Sequence, residues 1–117
     1  MTEGPAAVVR AIIAAREDND LDAGLRRIAP DSLDQGRRVS REDWRRKWEH
    51  MLTDSPDLEV VTEHSVENGE WVANRYTIRG THTGERFEIH GMDMVRVRDG
   101  QLVEHWVFAE PLPNGGS

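Results

Sequence analysis

Cysteine is missing from these 117 residues. That excludes disulfides, thiol nucleophiles and thiolate metal sites. Long hydrophobic runs are missing as well: no apolar stretch approaches the ~20 residues of a membrane-spanning helix. The N-terminus lacks a basic region followed by an apolar one, so no membrane partner is expected and a cytoplasmic location is the default. Net positive charge is also absent. Fifteen basic side chains face 22 acidic ones, leaving a formal charge of −7. Phosphate binding is driven by Lys and Arg, which argues against nucleic acid as a partner. The histidines (His50, His64, His82, His90 and His105) show no helical metal-ligand spacing, so no metal is expected.

What remains suits one small domain with a single core. The domain spans residues 1–113, followed by a flexible tail at 114–117. Residues 5–18 carry Val9, Ile12 and Ile13 on one stripe of a helix, with Pro5 in its first turn. Leu21, Leu25 and Ile28 mark a second, short helix ending before Pro30, and residues 31–38 suit a short strand. Ser40-Arg41-Glu42-Asp43 resembles a capping box opening a third helix, which presents Trp44, Trp48 and Met51 inward and ends near Leu52. From Leu58 to Glu110 the chain reads as four long strands separated by Asn68-Gly69, Thr83-Gly84 and Asp99-Gly100. Helices first and a meander afterwards predict an α+β fold, the helices gathered on one face of a curved, mostly antiparallel sheet.

Two-residue loops set hairpin register, so the rows of the sheet can be counted. One face then holds Glu63–Asn74–Asp93–Trp106, Val61–Tyr76–Gly91–Phe108 and Glu59–Ile78–Ile89–Glu110. The other holds His64–Ala73–Met94–His105, Thr62–Arg75–Met92–Val107 and Val60–Thr77–His90–Ala109. A bulge in any strand would invert part of this layout. The first face sets carboxylates among aromatic walls around the gap at Gly91. A carboxyl in such a cavity is expected to have a raised pKa and to serve as general acid or base. Asp93 is the first choice, oriented by Asn74, with Glu110 as a second carboxylate. Tyr76 is expected as a hydrogen-bond donor, and Trp106, Phe108, Glu63 and Trp48 as substrate-binding walls. The second face, with its methionines and His64 and His105, reads as a homodimer interface.

The runs Gly80-Thr81-His82-Thr83-Gly84-Glu85 and Val95-Arg96-Val97-Arg98-Asp99-Gly100-Gln101-Leu102-Val103-Glu104-His105-Trp106 resemble the pattern G-T-H-x-G … R-x-x-D-G-K-I-V-E-H-W-x-x-x-D. That pattern recurs in the SnoaL-like branch of the nuclear transport factor 2-like superfamily. The resemblance covers roughly residues 7–111 and implies a cone-shaped, cystatin-like fold whose concave sheet face lines a pocket. In similar proteins the last-strand Trp and nearby acids line that pocket, positions matched here by Trp106, Asp93 and Glu110. Val107 and Gln35 stand where relatives often carry Asp and His. The resemblance implies a hydrophobic small-molecule partner and cofactor-independent isomerisation, cyclisation or dehydration. The superfamily also contains noncatalytic modules, so a dimeric ligand-binding or structural role stands as the alternative.

Overall fold

The protein is described here from a computed structural model covering residues 4–113; the tail expected at 114–117 lies outside the described residues. Three helices precede most of the sheet: α1 (Pro5–Glu17), α2 (Leu21–Arg26) and α3 (Arg41–Asp54). The N-cap of α1, Gly4, offers no side chain, and a sheet residue takes over. The Glu67 carboxylate accepts from the Ala6 N–H at 2.7 Å, placing negative charge at the positive end of the helix. The capping box of α3 is formed as expected: Ser40 Oγ accepts from the Asp43 N–H at 3.1 Å, and Asp43 accepts from the Ser40 N–H at 2.8 Å. It starts α3 where Trp44 and Trp48, one turn apart, both point into the core.

The sheet has six strands rather than four: β1 (Ile28–Asp34), β2 (Arg37–Ser40), β3 (Glu59–Asn68), β4 (Trp71–His82), β5 (Glu85–Arg98) and β6 (Gln101–Ala109). Their spatial order is β2-β1-β6-β5-β4-β3, with β1 parallel to β6 and the other pairs antiparallel. The stretch expected to be one short strand is a hairpin, β1 and β2 turning at Gln35-Gly36 with φ of 55° and 80°. Ile28, read as the end of a helix, is instead the first residue of β1. The β1–β6 register is irregular between Ile28 and Leu33. Pro30, which cannot donate to a ladder, lies within that interval.

Register decides which side chains face the helices. The β4–β5 pairing is the counted one, with Asn74 opposite Asp93 and Tyr76 opposite Gly91. Its Thr83-Gly84 turn has positive φ at both residues, 49° and 83°, the type I′ signature. The first hairpin differs. Asn68 pairs with Trp71, so the loop is Gly69-Glu70, with Gly first at φ 62°, as a II′ turn requires. That shift moves the pairing by two residues and leaves the faces unchanged. Two bulges do change them. Glu63 is an extra residue between the pairs Thr62–Tyr76 and His64–Arg75, and Val103 is an extra residue between Leu102–Val97 and Glu104–Arg96. Each bulge flips every side chain on one side of it. The helix-facing rows are therefore Ser65–Asn74–Asp93–Val107, Thr62–Tyr76–Gly91–Ala109 and Glu67–Val72–Val95–His105. Val8, Val9, Ile12, Ile28, Trp48, Val72 and Val95 close the core between this face and the helices.

Candidate active site

Between the helices and the concave sheet face lies a cavity of about 120 Å³. A void of about 150 Å³ accommodates benzene, so this space is close to, and a little below, that of one six-membered ring. Its walls are mainly apolar, from Val9, Ile12, Trp48, Ile78, Ile89 and Leu112. Polar groups reach it from Arg16, Asn74, Tyr76, Asp93, His105 and Glu110.

Asp93 faces inward from β5. Its Oδ1 accepts from Asn74 Nδ2 at 2.8 Å, and Asn74 Oδ1 accepts from Ser65 Oγ at 2.6 Å. The amide thus holds one carboxylate oxygen, and the two residues are the cross-strand pair counted from the sequence. The other oxygen, Oδ2, lies 3.7 Å from His105 Nε2. His105 Nδ1 is 2.8 Å from Asp34 Oδ1, and Asp34 Oδ2 is 3.4 Å from Lys47 Nζ. Asp34 and His105 are register partners on the parallel strands β1 and β6, so they share a face. Trp44 holds the imidazole edge-on at 5.5 Å and lies beneath Lys47 Nζ at 5.2 Å. A polar chain therefore runs Lys47–Asp34–His105–Asp93–Asn74–Ser65 along an apolar wall.

Its charges stabilise one another. Burial alone would lower the His105 pKa, but hydrogen bonding to Asp34 and Asp93 outweighs it and raises the imidazole above its ordinary value. Burial would likewise raise Asp34, but His105 and Lys47 outweigh it and hold the carboxyl below its usual range. The Tyr76 hydroxyl is pushed well above its ordinary pKa, by burial first and by Asp93 second. It is therefore a proton donor, not a phenolate. Gly91 makes room for its ring: a Cβ there would lie 2.9 Å from Tyr76 Cε1.

Of the residues singled out from sequence, Asp93, Asn74, Tyr76, Trp48 and Glu110 line the cavity. Glu110 does so at the rim, where its carboxylate accepts from the His90 N–H at 2.8 Å. Three do not line it. Trp106 stands on the outer face, its indole N–H donating to Glu104 Oε2 at 2.7 Å and its ring over Gly36. Phe108 is 79% exposed on that same face. Both were turned outward by the extra residue at Val103. Glu63 is itself a bulge residue and accepts from Thr77 Oγ1 at 2.8 Å, beside His90 on the outer face. His105, assigned from sequence to the outer face, enters the cavity by the same inversion that expels Trp106. Asp34, Lys47 and Arg16 were not singled out for the site either. The adjacent apolar pair Leu102-Val103, which breaks the alternation of β6, is the sequence signal that could have revealed the bulge. Among the described residues, no cluster of three or more His, Asp or Glu could hold a metal ion, and no helix is long and apolar enough to cross a membrane.

The family model for SnoaL-like polyketide cyclases matches residues 6–113. The chain belongs to that family. Among solved structures, it is similar to IdmH from Streptomyces antibioticus, a candidate polyketide cyclase: 29% identity, TM-score 0.84, covering 92% of this chain and 93% of that one. It is similar to AclR from Streptomyces galilaeus, a candidate hydroxylase, at 26% identity and TM-score 0.78, covering 91% and 88%. A SnoaL-like polyketide cyclase from Agrobacterium tumefaciens shares the fold at TM-score 0.86 with 14% identity, covering 93% of each chain. No curated protein matches. Family and neighbours together support a cyclase-type function on a small molecule.

Proposed function

We propose that this SnoaL-like protein is a cofactor-independent enzyme acting on a hydrophobic, oxygenated small molecule, by proton transfer leading to isomerisation, cyclisation or dehydration. One observation carries the reading. The Asp93 carboxylate faces an apolar cavity of ring size, with Asn74 at 2.8 Å on one oxygen and His105 at 3.7 Å from the other. Asn74 aims the carboxylate, Asp93 removes a proton from carbon α to a carbonyl, and Tyr76 donates to the oxygen where charge develops. His105, charged between two carboxylates, returns a proton to the product. Trp48 and the α1 side chains exclude water from the ring.

α-Proton exchange of cyclohexanone in D2O, followed by NMR, tests this without knowledge of the natural substrate. Catalytic amounts of the protein accelerate exchange, and Asp93→Asn lowers the acceleration by about 10²-fold or more, the usual contribution of a positioned base. Exchange unaltered in Asp93→Asn would remove Asp93 from this role.

The noncatalytic alternative is favoured by the cavity's size. At about 120 Å³ it falls below the ~300–1,000 Å³ of ordinary ligand sites, as suits a module that only holds a small ligand. In that case the wild-type protein binds cyclohexanone without accelerating exchange.

We further propose that the outer sheet face pairs with a second copy of the chain. Val66 (69% exposed), Met92 (53%), Met94 (48%) and Phe108 (79%) lie on adjoining rows there. Such a continuous apolar patch favours burial against a partner.

A further inference from the structure

One cation at the cavity makes no ion pair with any described carboxylate. Lys47 faces Asp34, and His105 lies between Asp34 and Asp93. That cation is Arg16, on α1, which lines the same cavity. Its guanidinium carbon lies 5.9 Å from the Trp48 ring centroid, so the indole holds it without neutralising it. The nearby Glu17 carboxylate is turned to the sheet, where it accepts from the Val60 N–H at 2.7 Å. Guanidinium remains protonated in any protein environment, so the Arg16 charge persists despite partial burial.

A second group in the cavity is likewise unpartnered. Tyr76 is only 7% exposed, yet its hydroxyl donates to no described residue. No buried side-chain oxygen or nitrogen among the described residues is sealed away without a partner, so this hydroxyl opens into the void. Its ring is seated over Gly91, with Cε1 and Cζ at 2.9 and 3.0 Å from where a Cβ would stand. That seat fixes the position of the phenolic oxygen. A guanidinium and a phenol share one property here: each only needs an acceptor.

We infer that Arg16 and Tyr76 form a subsite for an anionic oxygen carried on a single ring, a carboxylate or an enolate. The ring fills the remaining space against Val9, Ile12 and Trp48, and its reactive carbon faces Asp93. The inference rests on reading the cavity as a ligand site and adds the chemical class of the ligand. It also accounts for how a carboxylate base and an anionic ligand share one small space. His105 offsets the Asp93 charge at 3.7 Å and Glu110 is held by the His90 N–H, while Arg16 feels Asp93 only through space and keeps its N–H donors for the ligand.

The probes are benzoate against its neutral isostere benzamide, and the enolate of cyclohexane-1,3-dione against cyclohexanone. Dissociation constants come from amide chemical shifts of the full chain. Benzoate or the dione enolate binds at least about tenfold tighter than its neutral counterpart, as a charge-assisted contact implies. The preferred one of the two identifies the anion as carboxylate or enolate. Arg16→Met reduces that preference to about one. Tyr76→Phe, which keeps the ring on Gly91, reduces it about threefold to tenfold. Asp93→Asn retains the preference, so loss of proton exchange in that variant is separable from loss of the subsite. Circular dichroism and thermal melting verify that each variant is folded. The inference is overturned if neither anion binds, if anion and isostere bind equally, or if folded Arg16→Met keeps the preference.

Discussion

Replacing Asp34 by Asn removes one charge from the polar chain while preserving shape, and His105 should report the loss. The Asp34 and His105 side chains are 18% and 15% exposed, and their contact is 2.8 Å, so solvent screens it little. A hydrogen bond to a charged group contributes about 1.5–3 kcal/mol, and each pKa unit corresponds to about 1.36 kcal/mol. The imidazolium in Asp34→Asn therefore loses stabilisation of about that size, and the His105 pKa falls. Lys47, 3.4 Å from the lost carboxylate, then repels the imidazolium, which acts in the same direction. The sign for stability is also determined. The folded pKa of His105 lies above its unfolded value, so its contribution is complete below about 6.5 and is lost as pH rises through the folded pKa. The folded pKa of Asp34 lies below its unfolded value, so its contribution is present above about 3.9 and is lost as pH falls through the folded pKa. The wild-type protein should thus be most stable between these limits, and Asp34→Asn should flatten both flanks. NMR titration of the His105 ring in both proteins, with thermal melts across pH, measures each effect. An imidazole that titrates unchanged in the variant would refute the proposed coupling.

Gly91→Ala brings a methyl to 2.7 Å from Ala109 Cβ and 2.9 Å from Tyr76 Cε1. Overpacking of this kind costs about 1–3 kcal/mol, read as a Tm lowered by several degrees. It also displaces Tyr76, so anion preference falls in parallel; an unchanged Tm would show that the ring does not rest on the glycine. Phe108→Asp, at a side chain 79% exposed, leaves the melting temperature of the protomer nearly unaltered. In sedimentation velocity it converts the proposed dimer to monomer, and a wild-type chain that sediments as monomer at high micromolar concentration removes the dimer altogether.

Much of this molecule follows from local chemistry. Pro5 and the Ser40–Asp43 box start two helices where short-range rules put them. Thr83-Gly84 and Asp99-Gly100 adopt the left-handed conformations that their hairpins need, and the β4–β5 register with Asn74 beside Asp93 follows from the first of them. These features depend on contacts within a few residues, or on one tight turn, so a linear reading reaches them. The pattern around those turns likewise pointed to the family.

The composition of the site was decided elsewhere. Whether His105 or Trp106 enters the cavity depends on one unpaired residue, Val103. Glu63 is the corresponding residue in β3. A bulge is settled by how the whole sheet curves over the helices, not by the preferences of the residue that bulges. Asp34 meets His105 only because β1 crosses to lie parallel to β6. Arg16 and Tyr76 line one cavity only because α1 lies across the concave face. The linear chain, through its turns and caps, determined the helix starts, the long hairpin strands and one inward acid; the three-dimensional packing added the β1–β2 hairpin and chose that acid's partners, because contacts across 71 residues, as between Asp34 and His105, exist only once the sheet has closed over its helices.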